Sequence, residues 1–134
     1  MSNISKQLST EEIQKIAAKD DFHIAALRPD STTYGTLTWI WVVMVDDTLY
    51  VRAYNGKQSR WYNAAIQQKQ GMIKAAGITK LMGFEPVSGS INNRIDEAYR
   101  KKYSSSPYLQ AMISERAKAA TIKILSLEET KDNE

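Results

Sequence analysis

The feature that most constrains the fold is an apolar run over residues 36–45, which is hydrophobic on both faces of a predicted strand. Side chains alternate between the two faces of a strand. One face carries Trp39, Trp41, Val43 and Val45, and the other carries Thr38, Ile40, Val42 and Met44. Because an antiparallel sheet commonly leaves one face in water, two apolar faces predict cover on both sides. One side is expected to be the domain core, and the other needs a helix, a partner subunit or a flat ligand.

The rest of the chain predicts an α+β domain of antiparallel strands with helices at their ends. Ser9 and Glu12 have the spacing of a capping box, which predicts a first helix that ends near Ala18. Turns at Asp46-Asp47 and Ala76-Gly77 are expected to close two hairpins. The predicted strands are 21–27, 36–45, 49–54, 71–76, 79–86 and 120–127, and the later predicted helices are 59–68, 92–103 and a short one opened by Ser106-Pro107. Five or six such strands fit a small closed or partly closed barrel.

Composition limits the chemistry. The 134 residues include no cysteine and one histidine, and the formal net charge is +3. The lack of cysteine excludes disulfides, zinc–thiolate sites and thiol nucleophiles. There is no signal-peptide pattern and no apolar run long enough to cross a membrane, so a cytoplasmic protein without a membrane partner is expected. We expect one domain over residues 1–127 and a flexible acidic tail over residues 128–134.

A strand-to-helix corner over residues 50–64 (YVRAYNGKQSRWYNA) is the strongest candidate site. It places Lys57, Ser59 and Arg60 at the start of a predicted helix, where free N–H groups and the helix dipole favour an anion. Trp61 and Tyr62 follow and would cover an attached ring. Residues 1–127 carry 17 basic and 11 acidic side chains, an excess that also favours an anionic ligand. The corner therefore predicts a phosphate site.

The residues of this corner also have purely structural interpretations, in which Trp61 and Tyr62 would only pack the helix on the barrel. Lys57 would then be a solvated loop lysine, and Ser59 would only cap the helix. The Asn55-Gly56 pair would be present because the chain needs a left-handed turn. Arg52 would stack on a tyrosine of the same strand at the surface. These alternatives stay open at the level of the sequence.

Other chemistries have weaker support. His23 lies in a predicted strand and no GxSxG turn accompanies it, so a structural or surface histidine is expected. A single histidine without cysteine argues against a metal site. The basic and aromatic stretch over residues 94–103 is interpreted as a solvated helix face with its tyrosines directed inward. Binding of nucleic acid to that stretch is disfavoured.

Two segments carry a resemblance to known proteins: YVRAYNGKQSRWYNA at residues 50–64 and IDEAYRKKY at residues 95–103. Together with the order of strands and the tight Asp turn, they resemble a family of small bacterial proteins classed as a domain of unknown function. The match covers about residues 10–127. That family is similar to the FMN-binding split β-barrels of the pyridoxamine-phosphate-oxidase type and to the deazaflavin-dependent nitroreductases.

The resemblance implies a split β-barrel of about six mostly antiparallel strands that binds FMN or a deazaflavin, commonly as a homodimer. The cofactor phosphate would lie at the corner, and the ring would lie along residues 38–42 with Trp61 as a wall. In such barrels the cofactor often lies between two subunits, so the resemblance also allows Trp39 or Trp41 to belong to a dimer interface and not to the ring site. The residues implied in cofactor binding are Thr38, Ile40, Arg52, Asn55, Gly56, Lys57, Ser59, Arg60 and Trp61.

The chain departs from the better-known relatives in one strand. Pyridoxamine-phosphate oxidases carry cations on the second strand, whereas this strand reads TLTWIWVVM. We therefore do not predict pyridoxamine-phosphate oxidation, and we name no catalytic residue. The leading hypothesis is a small oxidoreductase of unknown substrate. The alternatives are a non-enzymatic module for small anions or dimerisation on the same fold, and a binder of single-stranded nucleic acid.

Overall fold

The structure, a computed structural model, describes residues 7–127. It has an α+β architecture, as predicted, in which seven strands form one antiparallel sheet flanked by helices. The strands are β1 (His23–Ala26), β2 (Thr38–Trp39), β3 (Val42–Val45), β4 (Thr48–Arg52), β5 (Gln70–Ala75), β6 (Ile78–Val87) and β7 (Thr121–Ser126). The helices are α1 (Thr10–Ala17), α2 (Arg60–Gln68), α3 (Ile91–Lys102), α4 (Leu109–Met112) and α5 (Glu115–Lys118), and a 3₁₀ turn spans Gly56–Gln58. The longest of these helices has 12 residues, and within residues 7–127 no helix has the length and apolar character to span a bilayer.

The strand order makes the sheet curl into a partly closed barrel. The order is β2-β1-β5-β6-β7-β4-β3, so β2 and β3 lie at opposite edges. Only Ile40 and Trp41 separate these two strands in the chain. Two edges joined by so short a link must approach each other, and the sheet therefore bends around its core.

The predicted single strand over residues 36–45 is wrong in one respect, since it forms two strands. Its first part pairs with β1, where Trp39 lies opposite His23. Its second part pairs with β4, where Val42 lies opposite Val51. The chain changes pairing partner at Ile40-Trp41 because the curled sheet offers two edges there. The described residues therefore form seven strands instead of about six.

The two apolar faces of this run contact two separate hydrophobic clusters. Ile40, Val42 and Met44 pack in or against the cluster inside the barrel. Trp41, Val43 and Val45 pack in a second cluster beneath α3. Of the three kinds of cover predicted for the second face, the structure provides a helix.

Helix boundaries follow the predicted signals except near Pro107. The capping box is present, with Ser9 and Glu12 each accepting a hydrogen bond from the other's backbone N–H. The fourth helix begins at Leu109 instead of at Pro107. The Ser106 side chain accepts the N–H of Tyr108, which holds residues 106–108 in a turn ahead of the helix.

The interpretation of α3 as a helix with inward tyrosines is confirmed, and it yields a testable contrast. The hydroxyl of Tyr103 donates to Asp20 at 2.9 Å and accepts the N–H of Val42 at 3.4 Å. Burial, followed by the bond to Asp20, raises the pKa of Tyr103 above its usual range. The hydroxyl of Tyr99 is buried and has no hydrogen-bonding partner among residues 7–127.

Tyr103→Phe is therefore expected to lower the free energy of unfolding by about 1–3 kcal/mol, because it removes both bonds and strands a buried N–H. Tyr99→Phe is the matched control, and we expect its stability to equal or slightly exceed that of the wild type. Urea unfolding of the two variants measures the difference. Equal losses in both would show that the Tyr103 bonds contribute nothing specific.

Candidate functional site

A cavity of about 440 Å³ lies where the link between β2 and β3 faces the end of β4 and the start of α2. We call it the aromatic cavity. Six residues predicted from the sequence line it: Thr38, Ile40, Arg52, Asn55, Ser59 and Trp61. Five more complete the lining: Trp39, Trp41, Tyr54, Tyr108 and Met112. The fold thus brings together most of the predicted site and adds four aromatic rings to it.

The aromatic rings form a buried wall and an exposed rim. Trp41 is buried and stacks on Tyr103 with ring centroids 3.8 Å apart and planes 2° from parallel. At the rim, Trp39, Tyr54 and Tyr108 are 50%, 43% and 58% exposed. Tyr54 and Tyr108 meet edge to face at 6.1 Å. The cavity therefore has flat apolar surfaces within reach from solvent, which suits a planar ligand.

The corner after β4 is shaped by Gly56. This residue has φ +73°, a left-handed conformation that side chains other than glycine rarely adopt. A Cβ at this position would lie 2.7 Å from Cγ and 2.9 Å from the carbonyl oxygen of Arg116. The interpretation of Asn55-Gly56 as a left-handed turn is confirmed for Gly56. Gly56 does not line the aromatic cavity, so its part there is to set the path of the backbone.

The start of α2 lies at the cavity through Ser59. The side chain of Ser59 makes no capping hydrogen bond, so the interpretation that it only caps the helix is wrong. The amide of Asn63 instead bonds the carbonyl oxygens of Lys57 and Ser59 at 2.7 and 2.9 Å. These bonds fix the turn and leave the Ser59 hydroxyl at the cavity wall. The first N–H groups of a helix lack intrahelical partners and favour an anion.

Arg52 occupies a different environment from the one predicted. Its side chain is fully buried and makes five hydrogen bonds. The shortest join it to Asp96 Oδ1 at 2.6 Å, Asn92 Oδ1 at 2.8 Å and Thr121 Oγ1 at 3.0 Å. Its guanidinium carbon lies 5.3 Å from the ring centroid of Tyr99.

Surface stacking of Arg52 on a tyrosine of its own strand is therefore wrong. The strand directs Arg52 beneath α3, because Asp96 and Asn92 on that helix supply the acceptors that a buried guanidinium requires. A phosphate could contact Arg52 only by displacing one of these groups. Arg52 holds the cavity wall to α3, and its phosphate contact stays a prediction with this geometry against it.

The remaining predicted cations lie outside the aromatic cavity. Lys57 is exposed in the 3₁₀ turn. Arg60 lines a second cavity of about 500 Å³ between α2 and the end of β1. Thr38 and Trp61 line both cavities and separate them. Consecutive residues of a helix point about 100° apart, and of these two neighbours only Trp61 also lines the aromatic cavity.

Backbone groups in the predicted ring-binding stretch are partly engaged. The N–H of Ile40 donates to the carbonyl oxygen of Phe22 at 3.0 Å. The N–H of Val42 bonds the Tyr103 hydroxyl, and the carbonyl of Val42 accepts from Lys102 at 2.7 Å. The N–H of Ile40 is therefore engaged and would have to leave Phe22 to bond a ligand.

Sequence reasoning missed the contributions of α4 to the site. Tyr108 and Met112 lie more than 45 residues beyond Trp61, and no local pattern associates them with the corner. Trp39 and Trp41 lie in the stretch predicted to run along the ring, with a dimer interface as their alternative, and the structure places both at the aromatic cavity. Among residues 7–127 no group of three or more histidines and carboxylates is placed to hold a metal ion.

Comparison with known proteins places the chain in a sequence family and supports the fold. A family model described as "Uncharacterized protein conserved in bacteria (DUF2255)" matches residues 12–124. One similar solved structure has a TM-score of 0.55 and 12% sequence identity, over 90% of this chain and 83% of the other. At that identity the likeness shows the fold alone. No curated protein sequence gives a significant match.

Proposed function

The chain belongs to DUF2255, a family of uncharacterised proteins conserved in bacteria, and we propose that its aromatic cavity binds the ring of a flavin or deazaflavin. The observation that carries the proposal is the set of aromatic walls around a cavity of about 440 Å³, beside a helix start with an uncommitted serine hydroxyl. Sites for small molecules have volumes of about 300–1,000 Å³ and combine apolar walls with few polar groups. A flavin has a flat tricyclic ring that can contact apolar walls and a polar chain that can bond the few polar groups.

The residues of the site divide into those that would contact the ring and those that would contact its chain. Trp61, Trp41 and Ile40 provide the apolar surfaces for a flat ring. Ser59 and the first N–H groups of α2 would bond an oxygen of the chain or its phosphate. Because Arg52 is fully engaged, no cation among residues 7–127 that lines the aromatic cavity is free to bond a phosphate.

The proposed activity is that of an oxidoreductase. A bound flavin or deazaflavin accepts and donates a hydride or electrons, and the protein binds it, orients it and limits access of water. The exposed rim of Trp39, Tyr54 and Tyr108 leaves the cavity reachable by a second reactant. None of the side chains at this rim is required as an acid or base, and the substrate stays unassigned.

Ser59→Ala is expected to weaken FMN binding about 10- to 100-fold, the value of one hydrogen bond to a charged group. Ser90→Ala is the matched control, because Ser90 also precedes a helix, makes no capping bond and is exposed. Quenching of FMN fluorescence on titration with each variant measures affinity, and thermal unfolding checks the fold.

Trp61→Leu complements this test, since it removes an aromatic wall and leaves an apolar side chain. It should weaken FMN and riboflavin alike, by about 2- to 13-fold, because stacking adds about 0.5–1.5 kcal/mol. If Trp61→Leu weakens binding and Ser59→Ala does not, the polar part of the assignment is wrong. If wild-type protein binds neither FMN, riboflavin nor a deazaflavin, the proposed function fails.

A further inference from the structure

The second cavity, of about 500 Å³, differs from the aromatic cavity in the residues that line it. It lies along one face of α2, where Arg60, Ala64 and Gln67 follow one another at helical spacing. Its opposite side is formed by the end of β1 and the segment that follows, including Arg28. Of the residues that the structure describes, two arginines and no carboxylate line this cavity.

Neither arginine is neutralised by a neighbouring acid. Among residues 7–127, no carboxylate forms an ion pair with Arg28 or with Arg60. Within residues 7–127 the two arginines make a single side-chain hydrogen bond, a long one of 3.5 Å from Arg28 to the hydroxyl of Thr33. Two arginines that line one cavity and form no ion pair within residues 7–127 favour an anion there, since the planar fork of a guanidinium matches carboxylate and phosphate oxygens.

The nearest acid in sequence, Asp30, is committed elsewhere. It accepts the N–H groups of Thr32 and Thr33, each at 2.9 Å, and the hydroxyl of Thr33 at 2.7 Å. These bonds lower the pKa of Asp30 to about 2. The Asp30 carboxylate is therefore bonded within its own loop, and it does not accept a hydrogen bond from Arg28.

The rest of the lining is neutral and mostly small. Ala25, Ala26, Gly35 and Ala64 give the cavity room, and Gln67 can bond a polar edge. Trp61 forms the partition towards the aromatic cavity. A ligand with an anionic group and a compact body would satisfy these surfaces.

We propose that the second cavity binds the anionic group, carboxylate or phosphate, of a small molecule, with Arg28 and Arg60 as its recognition residues. The anion has two sources that share this chemistry. It belongs to a separate small molecule, or it is the phosphate end of the ligand whose ring occupies the aromatic cavity. The inference goes beyond the proposed function and does not require a flavin.

The test uses inorganic phosphate and benzoate as probes, with neutral benzamide as the uncharged counterpart. The indole N–H signal of Trp61 in NMR spectra reports on the partition, and Trp61→Phe identifies this signal among the three tryptophans. We expect saturable shifts with phosphate or benzoate, at least tenfold weaker affinity in Arg28→Gln and in Arg60→Gln, and no response to benzamide. Lys74→Gln removes an exposed charge of β5, the strand beside β1, that lines neither cavity, and it should change affinity less than twofold.

A parallel comparison of FMN with riboflavin distinguishes the sources. If FMN binds more tightly than riboflavin and Arg60→Gln abolishes the preference, the anion is the phosphate of the ring ligand. If free anions bind and the preference is unaffected, the anion belongs to a separate molecule. Anion binding without flavin binding would keep this inference and reject the proposed function. The inference is overturned if the arginine variants alter neither free-anion binding nor the FMN preference, or if Lys74→Gln weakens binding as much as they do.

Discussion

Asp96→Ala is expected to lower the free energy of unfolding by about 3–5 kcal/mol, because it leaves a buried guanidinium without its carboxylate. Asp96 is 6% exposed and lies between two cations. Its Oδ1 is 2.6 Å from Nη1 of Arg52, and its Oδ2 is 3.1 Å from Nζ of Lys118. The loss should appear as a lower midpoint in guanidinium chloride unfolding.

Two further variants make this prediction specific. Glu97→Ala removes the neighbouring carboxylate, which pairs with Arg100 on the exposed surface, and it should cost less than about 1 kcal/mol. The double variant Arg52→Met with Asp96→Leu removes both charges and should be more stable than Asp96→Ala alone. A cost below about 1 kcal/mol for Asp96→Ala would contradict the structural role given to Arg52.

Gly56→Ala is expected to lower the free energy of unfolding by about 2–5 kcal/mol. It should also weaken the binding of any ligand in the aromatic cavity. A left-handed conformation costs a residue with a Cβ about 1–2 kcal/mol. Overpacking adds about 1–3 kcal/mol, because the new Cβ would lie 2.7 Å from Cγ and 2.9 Å from the carbonyl oxygen of Arg116. The corner can relieve this overlap only by moving away from α5, which displaces the start of α2.

Gly77→Ala separates the two causes. Gly77 has a nearly equal φ of +76°, and a Cβ there would meet no atom within 4 Å. Gly77→Ala should therefore lower the free energy of unfolding only by the cost of the left-handed conformation, about 1–2 kcal/mol. Thermal unfolding of both variants measures the difference. Equal losses of stability in the two variants would show that the corner is not tightly packed against α5.

The elements with a local signal were predictable from the sequence. The capping box of α1, the two hairpins and the helix after Ser59 each depend on residues within one or two turns of chain. The corner was located for the same reason, because a glycine, a helix start and an aromatic residue lie together in the sequence. The family of uncharacterised bacterial proteins was also recognised.

The roles of the cations were less predictable, because they depend on distant residues. Arg52 is buried because Asp96 and Asn92, at least 40 residues away, supply its acceptors. Arg60 adjoins Trp61 in the chain and lines the second cavity with it, but unlike Trp61 it does not line the aromatic cavity. The division of the long strand was not predictable, because its own residues do not reveal that its two halves pair with different strands, β1 and β4.

Several expectations stay predictions. The homodimer and the cofactor rest on the resemblance to split barrels and on the shape of the aromatic cavity. The acidic tail over residues 128–134 lies outside the described residues. A cytoplasmic location rests on the sequence patterns alone.

The most direct measurement is a visible difference spectrum of FMN and of a deazaflavin, recorded as purified wild-type protein is added. Transfer of the ring from water to aromatic walls should perturb its absorption band, and the change should saturate at one ligand per chain. Trp61→Leu should reduce this change. A spectrum that equals the sum of free ligand and protein for both cofactors would contradict the account, and it would leave the aromatic cavity as a site for another planar molecule.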